Sequence, residues 1–224
     1  MNPVTIVVLG KYPEIFNGFR DNVNTLFPNI PKVLVRDGAL IVPPTGSLWK
    51  LVQGPPVFSM PGNGNLGWQN VPANHDMLYV GDDVRFLQGN TIELLQTAAY
   101  ADPSIGLLSP RVIGGVGNPL QRTESPERIL YSERGLCFVC VLFKRKVIDK
   151  VGYMDPMFGG AYGYDDDDYC HRVRLAGFKL AVNPHVQVEH RHAGGTFMKA
   201  RGTAGVSLSV NAGKFMKKWG FLPQ

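Results

Sequence analysis

Apolar and polar positions along the chain alternate between a strand-like period and a helical one, and the switches lay out a layered α/β protein. Val4–Leu9 is a largely apolar run of strand length. Pro13–Phe27 then places Ile15, Phe16, Phe19, Val23 and Phe27 near one helical face, and Val33–Val35 makes a second strand closed by Arg36-Asp37-Gly38. Such a β-α-β opening predicts a parallel pair with a right-handed crossover. From Ile41 to Asn74 the chain is rich in Pro, Gly and Asn, which predicts mostly loop with brief strands around Leu51 and Val57. Further on the pattern predicts strands at Met77–Val80, Ile105–Leu108 and Leu136–Phe143, and helices at Asn90–Ala99 and Lys146–Val151. Residues 111–134 are rich in loop formers. Phe178–Val182 and Val186–Glu189 read as short strands paired with each other, Ala193–Ser209 as a mobile glycine-bearing segment, and Lys214–Trp219 as a closing amphipathic helix.

One helix carries an unusual start. Asp165-Asp166-Asp167-Asp168, between Tyr164 and Tyr169, sets four mutually repelling carboxylates side by side. Tyr169, Cys170, Val173 and Ala176 share one face behind them, Arg172 and Arg174 occupy the C-terminal half, and Gly177 is the stop, so acids lead and bases trail as the helix dipole favours. Asp168 and Arg172, four apart, suggest an exposed ion pair worth about 0.3–0.5 kcal/mol. That explains one carboxylate; the others are either a solvated cap or a site. A second acidic pair, Asp82-Asp83, follows the Met77–Val80 strand, at the end where open α/β sheets bind ligands. Acids there suit a hard divalent cation carrying a diphosphate, or simply a turn leading into the next helix.

Composition narrows the field. With 224 residues and 44% hydrophobic content, the chain forms one sizeable core, and a single domain is expected. Its apolar runs fall far below a membrane span, and Val4–Leu9 lacks the basic flank of a signal peptide, which points to a cytoplasmic protein or one peripheral at a membrane surface. Three cysteines argue against a disulfide scaffold. The net charge of +5 favours anionic partners, but the basic residues form no stripe with stacking aromatics, so nucleic acid is disfavoured. The tail Lys214-Phe215-Met216-Lys217-Lys218-Trp219 is the segment best suited to touch a membrane surface.

Several motifs invite chemistry. Gly62-Asn63-Gly64-Asn65-Leu66-Gly67 matches GxGxxG but sits after Pro61, without the preceding strand and first-unit position of a dinucleotide site. Cys137 and Cys140, on a strand, would point to opposite faces and read as buried thiols. Cys170 and His171 point about 100° apart on a helix and make a poor metal pair. His190 and His192 alternate onto one face just after a strand, so either could ligate a metal or meet phosphate. Lys199 and Arg201 are placed to close over an anionic leaving group.

Taken in order, these stretches resemble the inverting glycosyltransferases of family 2, rhamnosyltransferase-like, with the GT-A fold. Val35-Arg36-Asp37-Gly38 is similar to the family's nucleotide-contacting aspartate and Asn65-Leu66-Gly67-Trp68 to its Asn-x-Gly-aromatic loop. Tyr79-Val80-Gly81-Asp82-Asp83-Val84 is similar to its DXD element, with glycine in place of the first acid, and Gly152–Phe158 to the lead-in to the acceptor site. Tyr164–Arg174 resembles the Glu/Asp-Asp-x-Asp-aromatic-x-x-Arg signature, and His190 with Gly194-Gly195-Thr196 the His…Gly-Gly-x-Ser/Thr stretch. The resemblance implies a single GT-A domain with a mixed, mostly parallel sheet, in which 1–100 bind nucleotide and 101–224 hold acceptor and catalytic residues. It implies single displacement with inversion and Asp166 as general base, in a field shaped by Asp165, Asp167 and Asp168. Mn²⁺ or Mg²⁺ would sit on Asp83 with His190. Lys11, Asp37, Asn65, Gly67, Asp82, Asp83, Lys199 and Arg201 would hold a UDP- or dTDP-linked sugar, and His192 would join the secondary site. The acceptor would be a glycan, a lipid-linked molecule or a protein. Two other readings remain open: a sugar-phosphate nucleotidyltransferase, for which Leu9-Gly10-Lys11-Tyr12-Pro13 is a poor phosphate loop, and a carbohydrate- or calcium-binding module, against which the contiguity of the acids counts.

Overall fold

The computed structural model describes residues 1–37, 48–114, 118–125, 128–160, 163–191 and 201–223, the side chains of 201–207 excepted. The opening unit forms as expected, with β1 (Val4–Gly10), α1 (Pro13–Leu26) and β2 (Lys32–Arg36). The turn after α1 is fastened by Lys32, 2% exposed, whose Nζ donates to the carbonyls of Phe27 (2.7 Å) and Ile30 (2.8 Å). Burial pulls that ammonium down to about 8. There follow β3 (Trp49–Gln53), α2 (Met60–Gln69), β4 (Asp76–Gly81), β5 (Val84–Phe86), α3 (Thr91–Ala101) and β6 (Ile105–Ile113). Next come α4 (Pro119–Arg122), β7 (Leu130–Ser132), β8 (Cys140–Phe143), α5 (Arg145–Val151) and a 3₁₀ turn at Pro156–Phe158. The chain ends with α6 (Asp165–Leu175), β9 (Lys179–His190) and α7 (Arg201–Trp219).

One sheet runs β3-β2-β1-β4-β8-β6-β9-β5, with β7 also paired to β9. The first four strands are all parallel; beyond β4 only β6 and β9 are parallel, and the other pairs are antiparallel. The parallel character is therefore a property of the first half of the sheet. Alternation sends Ile6, Val8, Leu34 and Val80 to one face, where Phe16, Phe19 and Val23 of α1 and Leu95 of α3 cover them. Val7, Val33, Val35 and Tyr79 face the other way, under Trp68 of α2, Val147 of α5, and Tyr169, Cys170 and Val173 of α6.

Four expectations change. Residues 60–69 are a helix rather than loop, capped by Ser59, whose Oγ accepts from the Gly62 amide at 3.3 Å; Val57 is 79% exposed and lies in no strand. The glycines serve packing, since a Cβ at Gly67 would stand 2.5 Å from Val7 Cγ1. The strand predicted from Leu136 begins only at Cys140, because residues 136–139 turn beneath α6, the Leu136 amide donating to Cys170 Sγ at 3.3 Å and the Cys137 amide to Gln121 Oε1 at 2.8 Å. The two strands expected to pair with each other are one strand, β9, running parallel to β6 past an irregularity opposite Pro110, where the His185 amide bonds the Asn183 side chain at 3.1 Å. Residues 201–209, expected to be mobile, belong to α7; residues 192–200 lie outside the described residues.

Candidate active site

Three parallel strands deliver the first group of side chains to one edge of the sheet. Leu9 of β1 sits opposite Val35 of β2 and Gly81 of β4, so Lys11, Asp37 and Asp82 leave the sheet together at its C-terminal edge. Lys11 Nζ lies 2.7 Å from Asp37 Oδ2, and that hydrogen bond holds the ammonium above its ordinary range. The Asp37 amide donates to the Gly10 carbonyl at 3.0 Å, which fixes the pair at the strand ends.

Asp83 turns from β4 towards β5, and Val84 pairs with His190 at the end of β9. His190 Nε2 stands 3.2 Å from Asp83 Oδ1, and the Arg191 amide donates to the Asp83 carbonyl at 2.9 Å. A Cβ on Gly81 would come within 2.9 Å of Asp83 Oδ1, so glycine at this position leaves that carboxylate its room. One carboxylate and one imidazole fit a divalent cation that takes its remaining ligands from a diphosphate and water. Among the described residues no group of three His, Cys, Asp or Glu could hold a metal alone. Asp82 and Asp83 also line a groove of about 880 Å³ between α1 and β5, with Glu14, Asn22, Arg85 and Arg191. That space is of ligand size.

The second group starts α6. Tyr164, at φ 67°, is left-handed and caps the helix, and Asp165 to Asp168 fill its first four positions. Asp166 Oδ1 accepts from the Asp167 amide at 2.9 Å, and its carboxylate also takes the Phe138 amide. Burial nonetheless outweighs those bonds and raises the Asp166 pKa. Burial first, then the neighbouring Asp166 charge, pushes Asp165 up to about 8 and Asp167 to about 7. The floor beneath is aromatic: Trp68 lies 5.0 Å from Tyr169 and 4.9 Å from Phe143, and Phe138 6.2 Å from Tyr79. The Tyr79 hydroxyl is buried with no partner among the described residues, and burial and the Asp165 and Asp166 charges push it well above its ordinary range.

Asp168 belongs elsewhere. It is 0% exposed, correcting the expected surface pair: Oδ2 takes Arg172 Nε at 2.9 Å, while Oδ1 takes Lys218 Nζ at 2.6 Å and Trp219 Nε1 at 2.9 Å. It points away from ligand chemistry and into a network joining α6 to α7.

The two acidic groups are each fastened to one short segment. The Gly81 amide, at the root of the Asp82-Asp83 turn, donates to the Val139 carbonyl at 2.9 Å, and the next residue back, Phe138, donates its amide to Asp166. Acids far apart in sequence thus flank residues 138–139.

Other candidates fare differently. Both ends of the Asn65 amide are engaged by Met154, Nδ2 donating to its carbonyl at 2.8 Å and Oδ1 accepting its amide at 2.9 Å, so Asn65 positions the loop before the acids. Gly67 lies at the α2–sheet contact, against Val7 and Val35. His192 and Lys199 lie outside the described residues, as does the Arg201 side chain. Cys137, off the strand, is a free thiol that burial pushes up to about 12. Sequence reading passed over Gln121, fully buried, which accepts the Cys137 amide and donates Nε2 to the Cys137 carbonyl at 3.0 Å, supporting the segment that carries Phe138. The available signal was the capping-box pattern Asn118-Pro119-Leu120-Gln121.

No protein-family model and no curated protein sequence matches the chain. Solved structures do. The crystal structure of GalNAc-T7 with UDP, GalNAc and Mn²⁺ superposes with a TM-score of 0.67 at 13% identity, over 85% of this chain and 44% of that one. Glucosyl-3-phosphoglycerate synthase from Mycobacterium tuberculosis, in complex with Mn²⁺, UDP and glucosyl-3-phosphoglycerate, gives 0.64 at 12%, over 98% of this chain and 81% of that one. The chain has the GT-A fold. CMP:2-keto-3-deoxy-manno-octonic acid synthetase complexed with CTP gives a lower TM-score of 0.52 at 9% identity, over 84% of this chain and 90% of that one. This GT-A chain thus spans less than half the length of GalNAc-T7 but most of the mycobacterial synthase. No helix among its described residues is long and apolar enough to cross a membrane.

Proposed function

We propose that this chain is a metal-dependent inverting glycosyltransferase of the family-2 kind, moving a sugar from a nucleoside-diphosphate sugar to an acceptor hydroxyl. The observation that carries the reading is the attachment of both acidic groups to residues 138–139, one at parallel strand ends and the other at a helix start. An enzyme that displaces a diphosphate with an alcohol needs both a cation site and a proton acceptor. The GT-A fold shared with structures holding Mn²⁺ and UDP supports the same reading.

In this reading residues 1–100 bind the nucleotide, with Asp37 and Lys11 beside the nucleoside and Asp82 near the ribose. Asp83 and His190 would hold the divalent cation, which when bound offsets charge gathering on the leaving diphosphate. Asp166 takes the proton from the acceptor hydroxyl, its burial making it a stronger base than a solvated aspartate. Asp165, with its pKa near 8, remains largely protonated at neutral pH, which keeps the three acids from repelling one another fully. Lys199, Arg201 and His192 are proposed to close the donor side. The acceptor would be a glycan, a lipid-linked molecule or a protein.

The second reading, a sugar-phosphate nucleotidyltransferase, draws on the likeness to the CTP-bound synthetase. It is the weaker one, because such a site wants a basic phosphate loop after β1, and the single lysine there is paired with Asp37. Incubating the protein with UDP- and dTDP-sugars and Mn²⁺ or Mg²⁺ separates the two. Metal-dependent release of free nucleoside diphosphate supports the transferase. Pyrophosphate release from a nucleoside triphosphate and a sugar phosphate, with no diphosphate from any sugar nucleotide, overturns it.

A further inference from the structure

α7 lies against the turn that leads into the acids and grips it at three levels. Asn211 Nδ2 donates to the carbonyls of Gly159 (3.2 Å) and Gly163 (3.0 Å). One helical turn on, the Phe215 ring stands 6.1 Å from Phe158 and 5.5 Å from Tyr164. A further turn on, Lys218 Nζ lies 2.6 Å from both Asp155 Oδ2 and Asp168 Oδ1, and Trp219 Nε1 donates to Asp168 Oδ1 at 2.9 Å. Positions 211, 215 and 218 share one helical face. The other oxygen of Asp168 takes Arg172, whose remaining nitrogens reach the carbonyls of Val151 (3.2 Å) and Tyr153 (2.9 Å). Between the two polar grips sits Tyr164, with its left-handed φ of 67°. A side chain holds that conformation only when its surroundings over-determine it. Nothing about nucleotide or sugar binding requires Asp168, Asn211 and Lys218 to converge here, yet they bracket the residues that carry the acids.

We propose that α7 is the positioning element of the acid turn, with Asp168 and Asn211 as its two fastenings. They hold Tyr164 left-handed and so fix where Asp165, Asp166 and Asp167 present their carboxylates. The catalytic consequence rests on the transferase reading; the mechanical one does not. Asp168 and Asn211 are therefore positioning residues that act through the turn and touch no reacting atom.

The test compares K218M, which removes the ammonium shared by Asp155 and Asp168, with N211A and with the conservative K218R. Amide hydrogen exchange is followed together with UDP binding in Mn²⁺ and sugar transfer. K218M and N211A are each expected to speed exchange at residues 164–168 by about tenfold or more while β1 and β4 stay within about twofold of wild type. The kcat for transfer should fall by about tenfold or more, with the donor KM changed by less than about threefold, and K218R should restore both. Unchanged exchange at 164–168 in either variant overturns the proposal, and so does loosening spread equally through the sheet. Should K218M not fold, N211A decides alone. If the wild-type protein turns over no nucleotide sugar, the transferase reading fails, and the exchange data still decide the positioning role.

Discussion

Asp166 differs from the acids beside it in what it touches. It is half-buried and accepts backbone amides from Asp167 and Phe138, whereas Asp168 is fully buried with Arg172, Lys218 and Trp219 on its two oxygens. Asp166→Asn preserves shape and removes the proposed proton acceptor, so transfer should fall by ~10²–10⁴-fold in initial-rate assays while UDP affinity, measured by calorimetry, stays near wild type. Because burial raises the Asp166 pKa, the wild-type rate should climb with pH above the ordinary carboxylate range as the base ionises. A flat pH profile would remove Asp166 from that role. In the proposed transferase, Asp83 and His190 would act on the donor instead. Asp83→Ala or His190→Ala should weaken UDP binding by about tenfold or more in Mn²⁺ and change little in EDTA, and equal losses in both conditions would deny them the cation. The sequence pointed to Asp83, His190 and Asp166 through their neighbours along the chain. It read Asp168 as an exposed ion pair with Arg172, because Lys218 and Trp219, which bury it, lie some fifty residues away on α7.

At the scale of the element, α2 is the instructive case. Its glycines suggest loop by propensity, yet Gly67 lets the helix settle onto Val7 and Val35, and a methyl group there has nowhere to go. Gly67→Ala should therefore destabilise the protein by about 1–3 kcal/mol, despite the better helix propensity of alanine, as read by urea denaturation. A gain in stability would mean that the helix can retreat from the sheet. Asn65→Ala leaves both backbone groups of Met154 without their partner and should cost about 1–3 kcal/mol, with the acceptor KM rising more than the donor KM as the 152–158 loop loosens. Propensity and periodicity found β1, α1, β2, β4, α3, α5 and α6 because each has a local apolar pattern. They misjudged α2, where packing against a distant surface outweighs glycine's backbone entropy, and β9, whose two apolar runs read alike whether they pair with each other or with β6.

For the whole molecule, clustering the acids has a cost in stability that depends on pH. Asp165 and Asp167 bind protons more tightly folded, at about 8 and about 7, than a free aspartate does near 3.9. The folded state therefore holds more protons over that interval, and their contribution, complete below the unfolded pKa, is lost as pH rises through neutrality. Asp165→Asn should remove part of that loss, so that its Tm relative to wild type rises between pH 5 and pH 8, by about 2–4 °C for each kcal/mol relieved. A constant difference across that range would show that Asp165 carries its charge throughout. By itself the sequence determined the layered α/β class, the parallel opening, the acidic helix start and the strand-end acids, because each is written in residues that are neighbours along the chain. Only the tertiary structure decided that the antiparallel β8 brings residues 138–139 between the two acidic groups, that Asp168 faces α7, and that the glycines of α2 are packing contacts. Those facts depend on which surfaces close on one another, and the local pattern of a single chain does not encode them legibly.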